Sequence, residues 1–206
     1  MPFFDAPTNL AFDNYTELTA VIADWMDRSD LSGNVQSMVA LAEARMRREL
    51  TPLMAETSIA LLTEADGRAV MPSDFGTLNR VIYSDATLPN LGQGTAPLTG
   101  TGTMATAYTL EGDRLRLWPA GAHTVTLLYN PMIPFLSTSK PTNYLLANQP
   151  DLYFFGAMMF AEGFVSNDGR ASTFKALWDE ALAETKVWLV RRKYAGPLVP
   201  RVAFVP

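Results

Sequence analysis

The sequence predicts an α+β protein: a helical bundle supplied by both chain ends, with a β-rich lobe, a sandwich or small barrel, inserted between them. Three observations lead there. Apolar residues recur at helical spacing through residues 14–50 and again through 150–194. Between these stretches the spacing drops to two, in short runs separated by turn residues. Residues 151–165 carry apolar side chains on every side, the mark of a helix covered all round. The predicted boundaries follow: residues 1–50 and 136–206 form the bundle with an extended C-terminal tail, and residues 51–135 form the lobe.

Composition narrows the class. A chain of 206 residues can bury a substantial core. Hydrophobic residues make up 48% and charged residues 18%, which places it among globular rather than disordered proteins. No apolar run reaches the roughly 18 residues needed to span a bilayer, so no membrane partner is expected. The N-terminal MPFFDAPTN has neither the basic region nor the apolar run of a signal peptide, and none is expected. Cysteine is absent, which excludes disulfides and thiolate metal sites. The net charge of −5 argues against a surface built to grip phosphates.

Taken in order, the first dozen residues read as an irregular arm with Pro2, Pro7 and three Phe. Asn14 and Glu17 then stand in capping-box relation. Leu18, Val21, Ile22, Trp25 and Met26 form the apolar stripe of a first helix. SDLSGN is a turn. A second helix runs from Val35 to Leu50, with Val35, Met38, Val39, Ala42, Met46 and Leu50 on one face. Burying a Leu or Ile from such a face is worth about 1.5–3 kcal/mol. Arg45, Arg47 and Arg48 crowd its C-terminal end, where they complement the helix dipole, and Glu43 is spaced to pair with Arg47.

Past Pro52 the period changes. Residues 56–72 read as a hairpin around EADG, and PSDF turns the chain into a strand from Leu78 to Tyr83. Residues 85–103, rich in Gly, Thr and Pro, read as loop. Their glycines match neither the P-loop nor the dinucleotide-binding spacing. A three-strand meander follows, with strands at 105–110, 114–118 and 123–129, joined by EGD and PAGA.

The last part is helical. Asn148 stands at an N-cap position, Pro150 in the first turn and Asp151 three residues after the cap. Leu152, Tyr153, Phe154, Phe155, Met158, Met159, Phe160, Phe164 and Val165 follow, with Glu162 as the one polar insertion. Asn167, Asp168 and Gly169 break this helix, and Asp168 or Ser172 can cap the next. Phe174, Leu177, Trp178, Ala181, Leu182, Thr185, Trp188 and Leu189 form its stripe. A second stripe, Ala183, Val187, Val190 and Tyr194, appears only in the C-terminal half. That end is expected to meet something else, the chain's own sheet or a partner. The tail GPLVPRVAFVP has three prolines and alternating apolar residues. It cannot be helix and suits addition to a sheet edge or an extended path on another protein.

Catalytic chemistry is nearly absent. His123 is the only histidine, and no second imidazole or thiol offers a metal site. Glu111 and Asp113 are close carboxylates but flank Gly112 in a turn. Asp66 and Asp74 are turn residues too, and no serine sits in a nucleophile elbow. No catalytic, cofactor or metal residue is assigned, and no enzymatic activity or cofactor is expected.

Three stretches taken together carry a family resemblance. They are NYTELTAVIADWMDRSDL with SMVALAEARMRREL; MPSDFGTLNRVIY with YTLEGDRLRLWPA and TVTLLYN; and LSTSKPTNYLLANQPDLYFFGAM with LWDEALAETK. In order and spacing they resemble the head-to-tail adaptor, or connector, proteins of tailed bacteriophages, the group that includes tail tubular protein A. The resemblance implies a structural, non-enzymatic virion protein. It implies a ring of twelve subunits in the neck, joining the portal of the DNA-filled head to a downstream tail or nozzle protein. Double-stranded DNA would pass through the ring without sequence-specific binding, and assembly would take place in the host cytoplasm.

On this reading Val187, Val190, Tyr194, Leu198, Val199, Arg201, Val202 and Phe204 dock on the portal. Tyr153, Phe154, Met158 and Phe160 pack between subunits. Two other functions stay open at this point. One is a virion-associated β-sandwich module that binds carbohydrate or acts as a hydrolase through Glu111, Asp113 and Trp118. The other is a DNA-binding module using Arg45, Arg47, Arg48, Arg191, Arg192 and Lys193.

Overall fold

A computed structural model describes residues 12–26, 33–92, 103–164 and 168–194. The N-terminal arm, most of the SDLSGN turn, the centre of the Gly/Thr-rich loop, Val165 to Asn167 and the tail beyond Tyr194 lie outside the described residues. Within them the protein is α+β, with long helices toward both chain ends and seven strands between. It divides into two compact units, Met1–Glu43 with Leu136–Pro206, and Ala44–Phe135.

The first unit is helical. Helix α1 spans Tyr15–Met26. Asn14 caps it, accepting from the Glu17 amide at 3.0 Å, while the Glu17 carboxylate reaches back to the Asp13 amide at 2.8 Å. The first bond satisfies a donor the helix end would otherwise leave bare, and the second ties the residue before the cap back onto the first turn. The buried stripe is Tyr15, Leu18, Ile22 and Met26. Trp25, expected in it, is 56% exposed and lays its ring edge on Phe154 at 5.4 Å. Helix α2, Val35–Leu50, buries Val35, Met38, Val39, Ala42, Met46 and Leu50 as its spacing requires. The division between units falls inside this helix, after Glu43.

Helix α3 spans Tyr144–Asn148, α4 Pro150–Phe164 and α5 Asp168–Lys193. The cap lies earlier than expected. Asn143, not Asn148, accepts from the Leu146 amide at 2.9 Å and opens α3. Asn148 is the last residue of α3 and donates to the Tyr144 carbonyl. Pro150 then starts α4 after the single residue Gln149, where its missing N–H costs nothing. Ser172 is likewise no cap: it lies inside α5 and donates to the Gly169 carbonyl.

Helix α4 packs against α5, α1 and α3. At Gly156 it comes so near α2 and α5 that a Cβ would lie 2.7 Å from the Trp178 indole nitrogen and 3.0 Å from the Ala42 Cβ. A glycine inside an otherwise strong helix is explained by that approach, not by a turn. Glu162 is explained as well. Its side chain is buried and meets Arg170 at 3.0 Å, which ties the end of α4 to the start of α5.

The second unit holds β1 Thr57–Leu62, β2 Arg68–Val70, β3 Phe75–Tyr83, β4 Ala86–Thr87, β5 Ala107–Glu111, β6 Arg114–Trp118 and β7 Thr124–Pro131. They form two sheets, ordered β1-β7-β3-β4 and β2-β6-β5. Two local expectations fail here. Residues 56–72 are not a hairpin: β1 pairs with β7 and β2 with β6, each antiparallel. EADG is a corner between sheets, closed by the Gly67 amide on the Glu64 carbonyl at 2.9 Å. Nor do β5, β6 and β7 form a meander. The first two pair, and β7 crosses to lie between β1 and β3.

The reason is burial. Leu115 and Leu117 of β6 and Val125, Leu127 and Tyr129 of β7 share one core with Val81, Tyr108, Met71 and Leu88. Strands on opposite walls of that core bury both alternating rows at once, the arrangement of a sandwich. Gly76 sits at a register shift in β3, against the Asn130 carbonyl and Thr51, where no side chain fits.

Candidate assembly surface

Helix α5 presents two faces. One is spent on its own unit: Phe174, Trp178, Ala181, Leu182, Thr185 and Leu189 are buried, with Leu177 and Trp188 partly so. Thr185 shows how tightly this side is held. Its hydroxyl is fully buried and reaches both the Ala181 carbonyl at 2.8 Å and the Gln149 side chain at 3.2 Å, at the α3–α4 junction.

The other face is open. Val187 is 50% exposed, Val190 39% and Tyr194 69%, and Ala183 is exposed with them. These are the residues of the second stripe. The row points to solvent over the last three turns of the helix, where the sequence gives no polar reason for apolar side chains.

An aromatic stack stiffens the neighbouring edge. The Tyr144 and Trp188 rings lie 5.3 Å apart at 20°, and the Arg192 guanidinium sits 5.0 Å from the Tyr144 ring. Burial pushes the Tyr144 hydroxyl above its ordinary pKa, and Arg192 opposes that shift. Arg192 thus makes a cation–π contact at this edge. With Arg191 and Lys193 it also lies in the last turn, where positive charge suits the negative helix end.

Of the other sequence-singled residues, Leu198, Val199, Arg201, Val202 and Phe204 lie outside the described residues. The four residues assigned to subunit packing need correction. Tyr153 and Met158 are fully buried, and Phe154 nearly so, by helices of the same chain. They have no surface to give a neighbour. The Tyr153 hydroxyl is itself taken, accepting from the Asn143 side chain at 2.7 Å. Phe160 alone of the four is half-buried. The all-round apolar character of α4 is met largely from within the chain.

The carboxylates of the β-rich unit form a different kind of site. Glu111 accepts from Arg68 at 3.0 Å on one oxygen and from Arg116 at 3.0 Å on the other. The hydrogen bonds from Arg116 and Arg68 hold its carboxyl below the ordinary range. A general acid needs the opposite shift, because it must carry a proton near neutral pH. Arg116 also lies 4.0 Å over the Trp118 ring, and the indole donates to Thr109 at 3.3 Å. Trp118 is thereby engaged with its own sheet. Asp113 stays exposed in the turn and uses only its backbone carbonyl, accepting from the Met71 amide. The ladder reads as a cross-strand tie over β2, β6 and β5.

Two of the three arginines of α2 are committed too, while Arg48 is exposed. Arg45 pairs with Glu49 at 3.7 Å, and Arg47 donates to the Ile133 carbonyl and lies 3.4 Å over the Phe135 ring. Buried Glu43 accepts from the Leu136 amide at 2.8 Å. Sequence spacing had offered neither contact. His123 is a packing residue as well, with its ring 5.1 Å from that of Tyr83 and its Nδ1 3.2 Å from the Tyr83 hydroxyl. Among the described residues no cluster of His, Asp or Glu has the makings of a metal site. No described helix is long and apolar enough to cross a membrane.

No curated protein matches the chain. Residues 13–201, nearly all of it, match the family described as SU10 adaptor protein. The chain belongs to the SU10 adaptor family, a family of phage head–tail adaptors.

Proposed function

We propose that the chain is the repeating subunit of a twelve-membered ring in the virion neck, joining the portal of the filled head to the next tail component. The helices from residues 1–50 and 136–206 act as one bundle, and the lobe of residues 51–135 is inserted in it. The open row on α5, Val187, Val190 and Tyr194, is the surface that docks on the portal. Leu198 and Val199 continue it. That exposed row is the observation that carries the reading, because removing it from water needs a partner. Subunit contacts use Phe160 with the exposed Trp25 and Leu41, in place of the buried side chains of α4. DNA passes through the ring unbound: an excess of acidic residues leaves few phosphates neutralised. The subunit folds in the host cytoplasm and joins the particle during assembly.

The test is a double substitution, Val187→Asp with Val190→Asp. Both sites are exposed, so the unfolding free energy is expected to stay within about 0.5 kcal/mol of the parent. Co-sedimentation with the portal is expected to vanish. Undiminished co-assembly of the folded double variant would overturn the docking assignment.

A further inference from the structure

Sheet edges in this protein are unequally protected. The strand β4 has two residues and β2 has three, too short to template a partner. The outer side of β5 is already taken: Tyr108 exchanges hydrogen bonds of 3.0 Å with Pro89 and Leu91. That leaves β1, six residues long, at the end of the order β1-β7-β3-β4. Its sequence TSIALL holds no charge, proline or glycine, the usual means of blunting an edge.

The strand is also apolar where it is open. Thr57, Ile59 and Leu61 lie opposite Tyr129, Leu127 and Val125, all three core residues. They therefore face the core side of the sheet, yet Ile59 remains 40% exposed. Ser58, Ala60 and Leu62 lie on the opposite face, and Leu62 is 71% exposed. The core margin is unfinished along β1, and among the described residues nothing covers it.

We propose that β1 accepts the C-terminal run Arg201–Val205 of a second copy of this chain as an added strand. The occupant is argued from the sequence. Among the stretches outside the described residues, 201–205 is five consecutive residues free of Pro and Gly, bounded by Pro200 and Pro206, one fewer than the six of β1. Val202, Phe204 and Val205 favour extended structure. With period two, Val202 and Phe204 fall on one face and Arg201, Ala203 and Val205 on the other. The first pair extends the row of Thr57, Ile59 and Leu61 and covers the open margin. The second set lies beside Ser58, Ala60 and Leu62, with Arg201 in solvent.

The other candidates fit less well. The arm at 1–11 is broken by Pro2 and Pro7, and 93–102 is rich in glycine. A tail given to the next copy is a head-to-tail contact, which closes a ring when the rotation allows. The inference deepens the ring reading above and takes Arg201, Val202 and Phe204 away from the portal.

The natural absence of cysteine makes the test direct. Two full-length single variants, Ala60→Cys and Ala203→Cys, are mixed and oxidised. They are expected to give a disulfide-linked heterodimer at least ~10-fold above a mixture of Ala203→Cys with Ser139→Cys, an exposed control, the factor that about 1.4 kcal/mol of preference supplies. No excess over the control overturns the inference, as does linkage confined to a single chain in a variant carrying both Ala60→Cys and Ala203→Cys. Native mass separates this failure from that of the ring. A ring that persists after deletion of 201–206, with no specific linkage, leaves the ring standing and removes the strand exchange. Specific linkage with loss of the ring on deletion supports both.

Discussion

The closest packing in the helical unit yields a paired prediction. Gly156 and Gly163 both lie in α4, and Ala at either gains about 0.5–1 kcal/mol of helix preference. Their surroundings differ. At Gly163 a new Cβ meets nothing within 4 Å. At Gly156 it falls 2.7 Å from the Trp178 Nε1, 2.9 Å from its Cδ1 and 3.0 Å from the Ala42 Cβ. Comfortable carbon contacts begin near ~3.5 Å, so the intrusion is roughly half an ångström or more. Trp178 is fully buried and rigid, and it cannot swing into solvent.

Overpacking of this kind costs about 1–3 kcal/mol. Gly163→Ala should therefore stabilise, and Gly156→Ala should leave the protein about 1–3 kcal/mol below it. For a chain of this size each kcal/mol moves the melting temperature by about 2–4 °C. Thermal and urea unfolding of the two variants side by side measure the difference, with helix preference cancelling. Equal stabilisation by both would refute the close approach of α4 to α2 and α5.

Two further predictions address the core and the ion ladder. Met158→Asp places an unpaired charge at a fully buried site and should cost several kcal/mol, read as loss of a cooperative unfolding transition; a soluble variant with a native-like melt would show that α4 is not covered by its own chain. Glu111 is held below its ordinary pKa, so its contribution is present above the unfolded carboxylate value of about 4.3 and is lost as pH falls through the lower folded value. Glu111→Gln should flatten that acid loss below the ordinary carboxylate range, while leaving co-assembly with the portal intact; loss of assembly in the folded variant would revive a functional role for the cluster.

What the sequence made legible was local. The buried face of α2 could be read residue by residue, because a period of 3.6 with no competing apolar side leaves one solution. Both ends of β6, Arg114 and Trp118, and the Asn14 cap were readable for the same reason, as each depends on neighbours a few residues away.

Pairing was not legible. A turn signal such as EADG says that the chain bends, but not whether it returns to its own sheet or crosses the core. Here the shared core decided: Leu115 of β6 and Val125 of β7 belong to one buried cluster although their strands lie in different sheets. Cap signals were ambiguous where they crowded: Asn143 and Asn148 are five residues apart, and the one followed by the buried Leu145 and Leu146 opened the helix. The open row on α5 was legible in the sequence as a row, with its role left to the proposal. A second stripe on a helix that already has one is redundant for folding, and Val187, Val190 and Tyr194 are indeed exposed. That Tyr153, Phe154 and Met158 are covered by their own chain was not legible, because apolar excess does not say whose surface supplies the cover.

The most direct test of the adaptor reading is a cryo-EM reconstruction of the chain assembled with its portal. The account predicts a closed ring of twelve subunits with the C-terminal turns of α5 at the contact, Val187, Val190 and Tyr194 buried against the portal. A particle without such a ring, or a ring whose α5 row still faces solvent, would contradict it.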